Sequence, residues 1–298
     1  MIRMALILVA LSATCSYSAE PPTVTAKGWA ILDGTTGKLV KGFHEDDPMK
    51  AASTTKIMCA RVVLNLAAKD AKVLDEIVTF SKLADDTTGS TSGIKVGESL
   101  PVKELLYGLL LPSGNDAGNA LSEHFNDRLD APSDAILKQS GLDPAKVKTR
   151  INFLGEMNRE AERLKLKTAI YRSTFGDGGA ESDKTISPKD LAVLAFETMK
   201  DERFHKYVST KEYETKVKIP VGGERTAKWK NTNRLLQKPG YDGVKTGTTN
   251  SAGSCLVTRG TQGKDTLIVV VLGSKADADR YSDSEALYKW AWEQRVGK

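Results

Sequence analysis

The chain has 298 residues, of which 40% are hydrophobic, and a formal net charge of +5 at pH 7. That length suffices for one large core or two closely packed lobes, and the apolar content is that of an ordinary globular protein. The charge bias is mild and its basic residues are not interleaved with stacking aromatics, which argues against a nucleic-acid partner and leaves an anionic cell-wall surface as a fitting one.

The N-terminus reads as a removable leader. Arg3 precedes the apolar run Met4 to Leu11, small and polar residues follow to Ala19, and Glu20-Pro21-Pro22 opens a polar stretch. This is the outline of a secretory signal peptide. Residues 1–19 are therefore expected to be cleaved, after Ser18 or Ala19, and Leu11 to Cys15 fits a lipid-modified cysteine only loosely. No later stretch approaches the roughly 20 apolar residues of a membrane helix. Residues 20–298 are expected to form one exported domain, soluble in the periplasm or another extracytoplasmic space. Cys59 falls inside a predicted helix and Cys255 inside a predicted strand, so two buried free thiols are expected rather than a disulfide.

From Val24 the text alternates. Trp29 to Leu32, a turn at Asp33 to Gly37 and Lys38 to Phe43 predict a hairpin. Ser53 to Ala68 is apolar on nearly every face and predicts a buried helix. Short strands are expected at Val78 to Leu83 and Ile94 to Leu100. A helix over Val102 to Leu111 follows Pro101, read as its first-turn proline. After the loop Ser113-Gly114-Asn115 comes a helix from Asp116 to Phe125, then a polar excursion, Asn126 to Arg150, that suits short helices on the surface. Ile151 to Leu164 has helical spacing, Gly176 to Gly179 is a loop, and Ser187-Pro188 caps a helix over Lys189 to Met199. Strands are then expected at Thr215 to Ile219, Arg225 to Trp229, Gly243 to Thr246, Gly253 to Thr258 and Leu267 to Leu272, before a closing helix from Asp279 to Trp292. Strands at both ends around a helical middle predict an α/β (α+β) fold. One antiparallel sheet is built from both chain ends and covered by helices, with a mostly helical lobe inserted.

The chemistry concentrates at Ser53 and Lys56. Three residues apart at the start of a helix, they stack on one face. Burying a lysine disfavours its charged form, so its amine can take the serine proton, and the helix N-terminus favours an oxyanion alongside. An isolated Ser-x-x-Lys more often marks an N-cap and a solvated lysine. Ser92-Gly-Ile-Lys95 repeats the spacing in a glycine-rich, strand-like stretch that would not hold the pair together, so the neighbouring motifs must decide. Ser113-Gly-Asn115 and Lys245-Thr-Gly247 each occur once, on a loop between helices and on a C-terminal strand. With Ser53-Thr-Thr-Lys56 they make up the active-serine set of penicillin-binding proteins and class A β-lactamases.

The wider strings narrow the match. Ala52-Ser-Thr-Thr-Lys-Ile-Met58, Pro112-Ser-Gly-Asn-Asp-Ala117, Met157-Asn158 and Asp242-Gly-Val-Lys-Thr-Gly-Thr-Thr249 closely resemble low-molecular-mass penicillin-binding proteins of the D-alanyl-D-alanine carboxypeptidase family, over roughly Val24 to Trp292. The resemblance implies a penicillin-binding protein/β-lactamase-like fold, a substrate that is a peptidoglycan stem peptide ending in D-Ala-D-Ala, and covalent inhibition by β-lactams. It implies Ser53 as nucleophile, Lys56 as general base, Ser113 as the proton donor to the leaving amine and Asn115 as the group that holds them. The backbone N–H groups of Ser53 and Thr248 would hold the oxyanion. Lys245, Thr246 and Thr248 would receive the terminal carboxylate, with Gly247 letting the substrate lie along the strand. Arg280 is read either as a further carboxylate ligand, by the same resemblance, or as a solvated helix-start arginine. No cofactor and no metal is expected: His44, His124 and His205 stand singly, without ligand spacing.

Three departures stand out. The family commonly adds a C-terminal β domain and an amphipathic anchor, whereas neither is expected after Trp290 and Trp292, which read as core. Ser173-Thr-Phe-Gly176 stands where the family usually carries Asn-Pro-x-Gly-Leu and a histidine. The segment from Asn126 to Arg150 is longer than the family needs. The expected function is a serine D,D-carboxypeptidase. The alternatives are a β-lactamase, disfavoured by the absence of a Glu-x-x-Leu-Asn string and by Gly114, a D,D-endopeptidase using the same machinery, and a non-catalytic wall-binding relative.

Overall fold

Apolar runs at the two ends of the chain pair with each other, and the helices between them supply the faces that cover the resulting sheet. The computed structural model describes residues 19–176 and 185–295. In chain order the elements are β1 (Gly28–Asp33), β2 (Leu39–Phe43), α1 (Lys56–Lys69), β3 (Ile77–Thr79), α2 (Lys82–Asp85), β4 (Ser99–Pro101), α3 (Val102–Leu110) and α4 (Asn115–Phe125). Next come α5 (Asp134–Ser140), α6 (Ile151–Arg163), α7 (Pro188–Met199), α8 (Glu202–Ser209), β5 (Glu212–Lys218) and β6 (Glu224–Lys230). The chain closes with β7 (Tyr241–Thr249), β8 (Gly253–Gln262), β9 (Asp265–Ser274) and α9 (Asp279–Glu293).

The main sheet has the order β2-β1-β9-β8-β7, antiparallel throughout. β9 is central and apolar on both faces. Ile268, Val270 and Leu272 join the core that contains α1 and α7, while Leu267, Val269 and Val271 pack with Leu287 and Tyr288 of α9. β7 is left as an edge, which frees its outer backbone groups for an added strand. Strands from both chain ends, helical cover and an inserted lobe are the predicted α+β architecture.

The second lobe holds more sheet than expected. β5 and β6 do not join the terminal sheet; they form a four-stranded sheet in the order β3-β4-β5-β6. Alternation predicts that a segment is a strand but not which partner it finds, and β4 meets β5 through one residue pair, Ser99 with Lys218. The strand expected through Leu83 stops at Thr79 and gives way to α2, and the one expected from Ile94 is confined to Ser99–Pro101. Pro101 sits at the N-cap of α3, not in its first turn. α8 was not foreseen. Ser187 does cap α7, accepting a hydrogen bond from the Asp190 N–H at 3.2 Å, with Pro188 next.

Residues 126–150 form α5 and short 3₁₀ turns. The Arg159 guanidinium ties them to α6 by donating to the carbonyls of Asp130 and Ala131 at 2.8 and 3.2 Å. Cys59 and Cys255 are buried free thiols, and burial pushes Cys59 up to about 12. Trp290 is buried and its Nε1 donates to the Ala19 carbonyl at 3.0 Å, while Trp292 packs on Tyr288. Among the described residues no helix is long and apolar enough to cross a membrane. The predicted leader, apart from Ala19, and Asp177 to Gly179 of the predicted loop lie outside the described residues.

Candidate active site

Ser53 does not begin an α-helix as expected. It lies in a 3₁₀ turn, Ala52–Thr55, entered through Ala52 at φ 48°, and α1 starts at Lys56. In a 3₁₀ turn residues i and i+3 eclipse, so the change in helix type brings Ser53 and Lys56 face to face. Lys56 is wholly buried, and its Nζ lies 2.8 Å from Ser53 Oγ, 2.6 Å from Asn115 Oδ1 and 3.3 Å from Ser113 Oγ. One ammonium therefore joins residues from two of the three motifs. Ser92 and Lys95, at the same sequence spacing, go separate ways: Ser92 bonds Asp116, and Lys95 bonds Asp85 on the surface.

The loop between α3 and α4 presents Ser113 at φ 67°, a conformation costly for a residue with a Cβ. Its hold comes from behind. The Asn115 N–H donates to the Ser90 carbonyl at 2.7 Å and Asn115 Nδ2 to the Thr88 carbonyl at 2.8 Å. Asp116, also buried, accepts from the Ser92 N–H and Oγ, Thr91 Oγ1 and the Gly93 N–H. A Cβ at Gly114 would come 2.6 Å from Asp116 Oδ1 and 2.8 Å from the Gly108 carbonyl oxygen. Glycine at 114 is thus the residue that the Asp116 carboxylate leaves room for. Sequence reasoning passed over Asp116, since an acid in a first helical turn is ordinarily read as a dipole partner.

Across the cleft, β7 brings Lys245, Thr246, Gly247 and Thr248 to the sheet edge. A Cβ at Gly247 would lie 2.9 Å from both the Ser53 nitrogen and the Ala51 carbonyl oxygen, so the strand reaches the serine turn only because residue 247 is glycine. Lys245 is buried and donates to the Thr246 carbonyl at 2.9 Å. Burial, with Lys56 and Arg280 as like-charged neighbours, holds its ammonium well below the ordinary lysine range. Thr246 Oγ1 shares a 2.6 Å hydrogen bond with Thr232 Oγ1. Arg280 is not a solvated helix-start residue. It is buried, and its Nη1 donates to Thr248 Oγ1 at 2.8 Å and to the Gly247 carbonyl at 3.2 Å, while Nη2 meets Asp277 at 3.0 Å.

Residues 173–176 complete the wall. A Cβ at Gly176, where φ is 86°, would fall 1.9 Å from the Ala52 carbonyl oxygen, and the Phe175 ring centre lies 5.8 Å from Lys56 Nζ, within cation–π reach. Thr174 is buried and donates to Asn119 Oδ1 at 3.2 Å. Asn158 braces the approach, exchanging hydrogen bonds with the Tyr171 backbone at 2.8 and 2.9 Å. The sequence marked this loop by its glycine and by its departure from the family's Asn-Pro-x-Gly-Leu pattern, but gave no role to Thr174 or Phe175. The three histidines sit elsewhere, His44 with Asp47, His124 with Glu76 and His205 with Asp242. No metal-binding group of His, Cys, Asp and Glu occurs among the described residues.

Comparison with known proteins gives the family and the fold. Residues 15–130 and 149–276 match the family model for D-alanyl-D-alanine carboxypeptidase. A D-alanyl-D-alanine carboxypeptidase of a Streptomyces species is 35% identical over 95% of this chain and 92% of its own length. The enzyme DacC of Escherichia coli is 31% identical over 92% of this chain, but this chain spans only 62% of it. The crystal structure of the Streptomyces K15 DD-transpeptidase superposes with a TM-score of 0.80 at 34% identity, covering 92% of this chain and 100% of that one. Fold and relatives together define a serine peptidase with the penicillin-binding protein architecture. The chain belongs to the D-alanyl-D-alanine carboxypeptidase family. Residues 131–148, outside the family match, fall within the excursion that the sequence marked as longer than the family needs.

Proposed function

We propose that this protein is an exported serine D,D-carboxypeptidase that removes the terminal D-alanine from peptidoglycan stem peptides and is acylated by β-lactams at Ser53. The carrying observation is the single Nζ of Lys56 within 3.3 Å of both Ser53 and Ser113 hydroxyls. In its amine form Lys56 takes the Ser53 proton as Oγ attacks the carbonyl carbon of the penultimate D-alanine. The resulting oxyanion is held by the backbone N–H groups of Ser53 and Thr248, where losing one donor typically costs about 3 kcal/mol. The tetrahedral intermediate collapses with cleavage of the C–N bond, Ser113 relays a proton to the departing amine, and an ester to Ser53 remains. Water then hydrolyses that ester by the same route. Asn115 fixes Lys56 through its Oδ1.

Lys245, Thr246, Thr248 and Arg280 bind the terminal carboxylate, and Gly247 lets the peptide extend β7. Two buried ammoniums so near each other disfavour a proton on both. A substrate carboxylate beside Lys245 keeps the charge there and favours the amine at Lys56. Residues 1–19 are the leader, 20–298 the catalytic domain, and the site of action is outside the cytoplasmic membrane; the mass of the exported protein tests this, since a chain retaining Met1 contradicts it. The activity is tested by D-alanine release from an N-acylated tripeptide ending in D-Ala-D-Ala. Release by the parent protein and none by Ser53→Ala is expected, and equal release by both would refute the assignment.

A further inference from the structure

The carboxylate-binding edge already carries a carboxylate. Asp277, in the turn between β9 and α9, is half-exposed and lies beside Thr248. Its Oδ1 accepts from Thr248 Oγ1 and from Ser254 Oγ, both at 3.2 Å, and its Oδ2 accepts from Arg280 Nη2 at 3.0 Å. The Thr248 hydroxyl has one proton to donate. With Arg280 Nη1 donating into its oxygen at 2.8 Å, that proton is directed at Asp277. The same side of Arg280 is also engaged, although its buried Nε has no hydrogen-bond partner among the described residues.

We propose that Asp277 is a specificity-determining residue that acts as an internal competitor for the substrate's terminal carboxylate. It occupies the Thr248 and Arg280 donors in the free enzyme and gives way when a substrate or a β-lactam carboxylate arrives. This rests on the reading of β7 as the carboxylate-binding edge. One consequence follows from the charges. Asp277 offsets part of the positive potential of Arg280 and Lys245, so the site attracts an incoming carboxylate less strongly than it would without Asp277.

The experiment compares acylation of the parent protein, Asp277→Asn and Asp277→Ala, followed by intact mass at low ionic strength. The probes are benzylpenicillin and its methyl ester, which lacks the carboxylate. Removing one half-exposed charge beside the site is expected to raise the second-order rate constant for benzylpenicillin roughly fivefold, with the gain shrinking as salt is added. The rate for the ester should not change. An unchanged or slower reaction with benzylpenicillin, or an equal gain with the ester, would overturn the proposal by making Asp277 a support for Arg280 instead. Failure of penicillin to modify the parent protein at all is a different result, which removes the proposed function and this inference with it.

Discussion

Replacing Lys56 with methionine separates catalysis from stability. The side chain is wholly buried and contacts Ser53 Oγ, Ser113 Oγ and Asn115 Oδ1. Methionine fills a similar volume with no charge. On the debit side, Asn115 Oδ1 loses its donor, which costs about 1–3 kcal/mol for a buried acceptor, and the two hydroxyls can still turn toward each other. Against this, the variant no longer takes an ammonium out of water, an effective penalty of several kcal/mol in a protein interior. The opposing terms are of the same size, so the folded state should be no less stable, and Tm should stay within about 5 °C of the parent or rise. Acylation should collapse, because a positioned base typically contributes about 10²- to 10⁴-fold, equivalent to roughly 3–5 kcal/mol of barrier. Thermal unfolding and penicillin acylation, measured on the same preparations, check both. A variant that acylates within a few-fold of the parent would refute Lys56 as the base, and one that melts far lower would refute the buried-charge reasoning.

Three further outcomes are expected. As pH rises through the lowered value of Lys245 its charge is lost before the ordinary lysine range is reached, so KM for a D-Ala-D-Ala peptide should climb on the alkaline side while that for its C-terminal amide does not; parallel profiles would contradict this. The same lowered value implies a folding penalty that is full below it and relieved as pH rises toward the unfolded lysine value. Gly176→Ala drives a Cβ into the Ala52 carbonyl at 1.9 Å in a left-handed backbone, and should destabilise the protein by about 1–3 kcal/mol and slow acylation, as urea unfolding and adduct kinetics would report. Asp116→Ala strands the buried Ser92 N–H and leaves the neighbouring Thr91 and Gly93 donors to reorganise, a loss of roughly 3 kcal/mol measurable by the same unfolding experiment, with Ser113 no longer held opposite Lys56.

What could be read from the chain followed from how local the chemistry is. Each of the three motifs is a contiguous string, so their joint resemblance to the family pattern was enough to single out Ser53, Lys56, Ser113, Asn115 and Lys245, and the structure brings Ser53, Lys56, Ser113 and Asn115 into one hydrogen-bonded group. The terminal sheet was legible because β1 and β9 are strongly apolar. β5 and β6 were recognised as strands but not as part of a second sheet, since pairing depends on short β4, which carries little pattern of its own. Asp116, Asp277 and Phe175 were missed for a different reason. An aspartate that supports a loop and one that lies on a surface turn look alike in sequence, and only tertiary placement puts Asp277 against Thr248 or the Phe175 ring near Lys56. Arg280, ambiguous by sequence, is drawn to the β7 edge by Thr248 and the Gly247 carbonyl.

The most direct test of the account is the site of the penicillin adduct. Incubation with excess benzylpenicillin, followed by intact mass and peptide mapping, should give one stoichiometric addition located on Ser53, persistent over the time course and absent in Ser53→Ala. An adduct on another residue, or one retained by Ser53→Ala, would contradict the assignment of the nucleophile. An adduct that vanishes rapidly as hydrolysed penicillin accumulates would make the protein a β-lactamase instead.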